Sequence, residues 1–215
     1  YEPFEVKAEQ ELLNQTLKGS IKILIEILSM IDAESFSRSL KIKNFIRNLA
    51  EAKIISNTWE IEMAVLLFPI GQVTVPPNVM QKYRKNEPLN EIEKSMVSKI
   101  PQVGYDLLKK IPRLESVANC VLYSGKHYDG KGFPNTTVKG TDIPIGARVI
   151  KILNDLNQLM DNIKNNDIVI ETLNNRYGWY DPNLLAAVLA NIGVIDDKDS
   201  KVLKKPKSIM LNDLE

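Results

Sequence analysis

The sequence is poor in the side chains from which disulfides and catalytic metal sites are built. It contains one cysteine, Cys120, and one histidine, His127, among 215 residues. One cysteine excludes an internal disulfide and a cysteine-rich zinc site, and one histidine leaves few ligands for a catalytic centre. Cys120 lies in the apolar run 117–122, so we expect a buried side chain rather than a reactive thiol.

The chain also lacks an excess of one charge and a long apolar run. Its net charge is +1, which argues against a DNA-binding protein, because such proteins carry a basic face. The longest apolar stretch, 21–31, is shorter than the about 20 residues that span a bilayer, and no secretory signal precedes it. We therefore predict a cytoplasmic protein without a membrane segment. Since the sequence begins at Tyr1 without methionine, we expect it to be part of a longer protein.

What the sequence does contain is helical periodicity along most of its length. Apolar residues recur at three- and four-residue spacings, and no strand-like alternation precedes the C-terminal segment. Helix-start signals, such as Asn90 before Glu91 and Asp181 before Pro182, divide the pattern. We predict an all-α fold, with one compact domain of seven to nine helices from Ala33 to about Val194.

Residues 5–31 are predicted to form one long helix ahead of this domain. Its apolar stripe comprises Leu13, Leu17, Leu24, Ile27 and Ile31. The second half is apolar on nearly all sides, which predicts burial in a domain or in a dimer. The first half is either a projecting connector or an ordinary first helix of the bundle. We divide the chain into a linker helix (1–31), a domain (32–195) and a segment 196–215, which is a disordered tail or the start of a further module.

A glycine-rich aromatic loop, 123–134, interrupts the helices. Asp129-Gly130 favours a tight turn, and glycines let backbone N–H groups approach an anion, beside the charge of Lys131. A plain structural turn and an anion-contacting turn both fit this sequence. We expect His127 to be a solvated loop residue rather than a general base.

A second candidate site is the helix that follows the loop. Arg148 and Lys151 are three residues apart and share a helix face, close to a helix start that favours anions. Together with Lys131 they are candidates for a phosphate-binding pocket. The alternative is that both pair with nearby acids such as Asp155. On their own, Asp106, Asp129 and Asp155 are expected to be surface or turn residues.

The order of several motifs resembles the HD-GYP domains, bacterial cyclic-di-GMP phosphodiesterases of the all-helical HD superfamily. The segments that carry this resemblance are D-G-K-G-F-P at 129–134, I-P-I-G-A-R-V-I-K-I-L-N-D-L-N at 143–157, A-V-L-L-F-P-I-G-Q-V-T-V-P at 64–76, I-P-Q-V-G-Y-D-L-L at 100–108 and Y-D-P-N-L-L at 180–185. The similarity extends from about Ser35 to Ile192. It implies an all-helical HD-superfamily bundle preceded by a long signalling helix.

The sequence departs from the family at the positions that bind metal and catalyse. Phe68-Pro69 stands at the His-Asp pair, Gln72 at the catalytic lysine and Ile100 at the next metal histidine. The remaining departures are Ser124 and Gly125 at an adjacent histidine pair, Lys126 at a glutamate, Asn154 and Asn157 at two aspartates, Arg38 at an earlier histidine, and Phe133 at the signature tyrosine. A metal-bound hydroxide needs such ligands, so the resemblance implies a degenerate domain with no catalytic residues, no metal and no cofactor.

What remains of the family pattern suggests binding. Arg148 and Lys151 match phosphate-binding positions of the family. The loop residues Asp129, Gly130, Lys131, Gly132, Phe133 and Pro134 match a loop that in the family contacts diguanylate cyclase partners. Residues 12–28 resemble the helix that joins a receiver domain to such output domains, which implies a two-component response regulator with an upstream receiver domain.

Three functions stay open on this basis. The first is a non-catalytic signalling module that binds a protein partner, such as a diguanylate cyclase domain, and that forms a homodimer through its N-terminal helix. The second is a sensor that binds cyclic-di-GMP without cutting it. The third is a residual metal-dependent phosphodiesterase that uses Asp155, Asp129 or His127.

Overall fold

The computed structural model of the chain describes residues 2–56 and 58–191, with side chains described from residue 9 onward. Within these ranges it contains α-helices, short 3₁₀ helices and no strand, which confirms the all-α prediction. The α-helices are α1 (Glu2–Ile31), α2 (Ala33–Glu51), α3 (Thr58–Leu67), α4 (Pro77–Arg84), α5 (Glu91–Ser98), α6 (Ile100–Leu108), α7 (Glu115–Leu122), α8 (Ile145–Asn162), α9 (Asn166–Asn174) and α10 (Pro182–Ala190). The 3₁₀ helices span Phe68–Thr74, Tyr123–Gly125 and Gly140–Asp142.

Several helices begin where polar side chains satisfy the free N–H groups of the first turn. Asn90 and Glu93 form a reciprocal capping box at the start of α5. The Asp181 carboxylate accepts hydrogen bonds from the N–H groups of Asn183 and Leu184 at the start of α10. Both starts agree with the sequence patterns. Helix α5 ends at Ser98, and α6 begins at Ile100 with a proline in its first turn.

The main core is built around α3, which packs between α2, α7 and α8. The C-terminal five residues of α3, Met63 to Leu67, are all apolar, and six of its ten residues are buried. The neighbouring helices contribute side chains with almost no exposed surface, among them Ile46, Val117, Leu153 and Leu156. This core fixes the N-terminal half of α8 against the centre of the domain.

A smaller cluster lies beside the main core. It consists of Val75, Val79, Met80 and Ile100, and it joins α4 to the start of α6. The segment that contains α4 and α5 therefore has a small apolar core of its own. Polar contacts link it to the rest of the domain, including a 2.9 Å hydrogen bond from Gln158 to Asn86.

Helix α1 packs on the domain through one side of its C-terminal half. Ile21, Ile25 and Leu28 are buried there, whereas no residue from 9 to 20 is buried. Within the described residues, no helix is both long enough and apolar enough to cross a membrane. The predicted end of the domain near Val194 and the segment 196–215 lie outside the described residues.

Candidate functional site

A cavity of about 230 Å³ lies between α2, α4, α8 and the two 3₁₀ helices that begin at Phe68 and Tyr123. Eight of the eleven positions that the resemblance equates with the catalytic centre line it, although they are spread from residue 38 to residue 157. Pro69, Lys126 and Phe133 are not part of the lining. Phe68 and Ile100 supply apolar wall. The polar side chains that these positions contribute to the cavity wall are Arg38, Gln72, Ser124, Asn154 and Asn157.

The cavity wall contains one acid among the described residues, Asp155. Its side chain is only 13% exposed, and its Oδ2 atom accepts hydrogen bonds from Lys151 Nζ at 2.7 Å, Tyr180 Oη at 2.7 Å and Arg176 Nη1 at 3.1 Å. Burial and the adjacent Asp155 charge raise the pKa of Tyr180, so the phenol stays protonated as a donor. The expectation that Asp155 is a surface or turn residue was wrong, because α8 turns this carboxylate inward against these donors.

The cations of the cavity wall are all engaged in ion pairs. Arg38 and Arg84 both contact Glu34, each at 3.2 Å. Arg84 also pairs with Asp32 and donates a 2.5 Å hydrogen bond to Ser35 Oγ. Lys151 lies over the ring of Trp179, with 4.8 Å between its Nζ and the ring centroid. The wall therefore carries three cations, and neighbouring acids compensate their charges.

The three predicted phosphate-binding residues lie in different surroundings. Lys151 lines the cavity and pairs with Asp155, whereas Arg148 and Lys131 are not part of the lining. Arg148 Nη1 lies 2.5 Å from Asp181 Oδ2, and Arg148 Nε donates to the Ile143 carbonyl at 2.9 Å.

Arg148 and Lys151 are therefore both paired with acids, which was the alternative to a phosphate-binding role. Lys131 is 82% exposed and lies 3.4 Å from Asp129. Phosphate binding by this trio stays a prediction.

The glycine-rich loop is held by its own hydrogen bonds. Lys126 is 2% exposed, and its Nζ donates to the carbonyls of Pro134 and Thr136 at 2.7 and 2.9 Å. Gly132 has a φ of +78°, and a Cβ there would lie 2.7 Å from the Gly125 carbonyl oxygen, so only glycine fits. The peptide bond between Phe133 and Pro134 is cis.

The tip of the loop is a tight turn, as the Asp129-Gly130 sequence indicates. Asp129 Oδ1 accepts the N–H of Lys131 at 2.9 Å, and the Asp129 N–H donates to the Gly178 carbonyl at 2.8 Å. Hydrogen bonding to the Lys131 N–H is the largest cause that lowers the pKa of Asp129. The tip is therefore tied to the segment before α10 and presents the Lys131 side chain to solvent.

His127 is not the solvated residue that the sequence suggests. Its ring stacks on Trp179 at a centroid distance of 4.3 Å, and its Nδ1 atom is buried without a hydrogen-bond partner. Burial and the nearby Lys151 charge lower the pKa of His127. Trp179 lies 52 residues away in sequence, and no local pattern indicates that the two rings meet.

Cys120 is buried at 3% exposure, as predicted, and burial with the nearby Glu60 charge raises its pKa to about 12. Across the described part of the chain, no group of three or more His, Cys, Asp or Glu side chains is placed to hold a metal ion. Sequence reasoning missed Arg84, Arg176 and Trp179, each of which has a partner at least 20 residues away: Glu34, Asp155 and His127 respectively.

Comparison with known proteins adds one finding. A family model described as HD domain matches residues 22–184, roughly three quarters of the chain, including the cavity and the loop. A search of the curated proteins finds no match.

Proposed function

Because this chain belongs to the HD-domain family, a superfamily of metal-dependent phosphohydrolases, we propose that it is a non-catalytic member that acts in signal transduction by binding a protein partner. The observation that carries the proposal is the donor set of the cavity. The one acid of the described wall, Asp155, already accepts three hydrogen bonds through one oxygen. No position that the resemblance equates with the metal site carries a histidine or an acid, because these positions hold apolar or neutral residues and the two cations Arg38 and Lys126.

The residues present do not fit a hydrolytic metal centre. Such a centre needs several imidazole and carboxylate ligands that converge on one point. The side chains of Phe68 and Ile100 have no atom that can bind a metal. A neutral amide such as Asn154 is a poor substitute for a carboxylate as the ligand of a divalent cation. Two cations, Lys151 and Arg176, lie within 3.1 Å of the remaining carboxylate and would repel a divalent ion.

The contacts between α1 and the cavity suggest how an input reaches the domain. One residue, Asp32, separates α1 from α2. Asp32 pairs with Arg84 in the cavity wall, and Arg84 Nη2 donates to Ser35 Oγ, which in turn donates to Gln72 Oε1 at 2.7 Å. Burial acts to raise the pKa of Asp32, but hydrogen bonds from Ser35 and the Arg84 charge lower it overall. A displacement of α1 would therefore reposition Arg84 and the segment that carries it.

The output surface in this proposal is the loop 129–134. Its backbone is fixed by hydrogen bonds from Lys126 and by the contact with Gly178, so little conformational entropy is lost when a partner binds. Lys131 projects from it into solvent. The partner that the resemblance implies is a diguanylate cyclase domain, and the input that it implies is an upstream receiver domain.

Metal binding tests the proposal directly. We expect purified chain, incubated with Mn²⁺ or Fe²⁺ and then desalted, to retain less than one ion per chain by elemental analysis. Retention of two ions per chain, lost in an Asp155→Asn variant, would overturn the proposal.

Partner binding tests the output surface separately. We expect Lys131→Glu to weaken binding to a purified diguanylate cyclase domain at least about tenfold, equivalent to about 1.4 kcal/mol. Lys94→Glu is the matched control, because Lys94 is also an exposed lysine in a surface ion pair. Equal affinity of both variants would exclude the loop as the contact.

Binding of cyclic-di-GMP without hydrolysis is the second candidate function. The basic wall formed by Arg38, Arg84 and Lys151 favours it, although each cation would first have to leave its carboxylate. Calorimetric titration tests it, with Lys151→Met as the cavity variant and Lys94→Met as the control. No heat from the wild-type chain at high ligand concentration would exclude this function.

A further inference from the structure

Two polar side chains of the cavity wall, those of Asn157 and Ser39, have no hydrogen-bond partner among the described residues. Asn157 is 8% exposed and Ser39 is 5% exposed, and they belong to different helices, α8 and α2. Buried polar side chains are nearly always hydrogen-bonded, so each exception calls for a physical reason. These two exceptions line the same cavity.

The unpaired atoms of both side chains open into the cavity. Among the described residues, His127 Nδ1 is the one side-chain nitrogen or oxygen that is fully enclosed without a partner. The amide of Asn157 and the hydroxyl of Ser39 therefore keep some accessible surface, although each residue is more than nine-tenths buried. Because both residues line the cavity, that surface faces its interior.

Two further neutral groups of the wall have hydrogen-bonding capacity left. Asn154 lies three residues before Asn157 on the same face of α8, and its amide has no partner in the described part of the chain. Gln72 accepts from Ser35 Oγ through Oε1 at 2.7 Å, which leaves its N–H groups available. Amide and hydroxyl groups both donate and accept hydrogen bonds. The free capacity of the wall is therefore uncharged, whereas its charged side chains are already in ion pairs.

The wall also contains apolar side chains. Ile42, Met80 and Ile100 are each 4% exposed, and Phe68, which packs against the small apolar cluster, adds an aromatic ring. The cavity volume of about 230 Å³ lies below the about 300–1,000 Å³ of pockets that hold drug-sized ligands. These walls therefore match a compound of about one ring, with an apolar face and a hydrogen-bonding edge.

We propose that the cavity binds a small uncharged ring compound, whose edge forms hydrogen bonds with Asn154, Asn157 and Ser39 and whose face lies against the apolar side chains. Nucleobases and monosaccharides share this chemistry. No cation has to leave its carboxylate to admit such a ligand, in contrast to the binding of cyclic-di-GMP. The inference rests on the proposed function in one respect, because it requires a cavity without a metal centre.

Calorimetric titration in buffer that contains a metal chelator tests the binding. Adenine and uracil are the probes for a nucleobase, and glucose and ribose are the probes for a monosaccharide. We expect saturable binding of at least one of the two classes, with a dissociation constant below about 1 mM. The charged counterparts, adenosine 5′-monophosphate and glucose 6-phosphate, should bind at least about tenfold more weakly, because the cations of the described wall are already paired. No saturable binding of any uncharged probe, or tighter binding of a charged counterpart, would overturn the inference.

Two substitutions assign the binding to the unpaired side chains. Asn157→Leu and Ser39→Ala each remove a polar group that has no protein partner, so they should keep or raise the midpoint of thermal unfolding. Asn157→Leu should weaken binding of the active probe at least about tenfold, and Asn162→Leu, at an exposed position of the same helix, should bind it as the wild type does. Wild-type affinity in both Asn157→Leu and Ser39→Ala, or a lower midpoint in both, would overturn the inference, because these groups would then not serve a ligand.

Failure of this inference and failure of the proposed function give different results. Metal ions retained after desalting would contradict the proposed function. Absence of probe binding in chelator would contradict the inference and leave the non-catalytic role of the domain standing.

Discussion

The glycine-rich loop and the cavity wall beside it stabilise charged side chains of low exposure in different ways. In the loop, Lys126 is buried and donates to two backbone carbonyls, so its ammonium group fixes the loop backbone. In the wall, Asp155 is partly buried and accepts hydrogen bonds from three side chains, so its negative charge is neutralised by the neighbouring cations. Neither arrangement needs an added ion. Ion pairs and hydrogen bonds between side chains can therefore hold the cavity walls in place, although these walls carry few side chains that could bind a metal.

The largest expected effect is in the cavity wall. Asp155→Ala should lower the free energy of unfolding by about 3 kcal/mol, because Lys151 and Arg176 lose their shared carboxylate in a partly buried site. Urea denaturation followed by circular dichroism measures this. Asp106→Ala removes an exposed acid that also pairs with a lysine, and it should leave the free energy of unfolding almost unchanged, because solvent screens exposed ion pairs. Similar losses in both variants would mean that the wall is not held by charge neutralisation.

A smaller effect is expected in the loop. Lys126→Met keeps most of the side-chain volume and removes the donor to two carbonyls, which should cost about 1–3 kcal/mol. The same urea experiment measures it, with the exposed Lys131→Met expected to be within about 0.5 kcal/mol of the wild type. If Lys126→Met is as stable as Lys131→Met, the buried ammonium does not hold the loop.

The smallest effect concerns His127, which lies where the loop meets the wall. Its folded pKa is lowered from 6.5 by burial and by Lys151 and Lys131, against the opposing charges of Asp129 and Asp155. The unfolded chain therefore binds a proton first, and stability falls as the pH drops below 6.5 toward the folded pKa.

Replacing the imidazole with a ring that does not titrate isolates this contribution. His127→Phe keeps a ring against Trp179 and should lose less stability than the wild type between about pH 7.5 and about pH 5.5. Thermal denaturation at both pH values measures the difference. Equal losses in the two proteins would show that His127 does not titrate on unfolding in this range.

The features predictable from the sequence are those encoded locally. Asn90 and Asp181 sit at the helix starts that their side chains cap, and the turn at Asp129-Gly130 forms as its residues favour. Motif order also predicted the fold class, and the HD family was confirmed. The narrower assignment to degenerate HD-GYP domains stays a prediction.

The contacts that were missed join residues far apart in the chain. Asp155 meets Tyr180 across 25 residues, and Arg84 meets Glu34 across 50. The residues next to an acid in the sequence do not show whether its side chain is exposed or buried. The inward position of Asp155 depends on which segments pack against α8. For the same reason, the sequence predicts pairing of Arg148 with nearby acids only as one of two alternatives, and it does not identify Asp181, 33 residues away, as the partner.

Hydrolysis of cyclic-di-GMP under single-turnover conditions tests the central claim most directly. With the chain in excess over the nucleotide and Mn²⁺ or Fe²⁺ present, we predict no linear dinucleotide and no GMP above the level of buffer with metal alone. Product that increases with chain concentration and disappears in the Asp155→Asn variant would contradict the claim that this HD domain is non-catalytic.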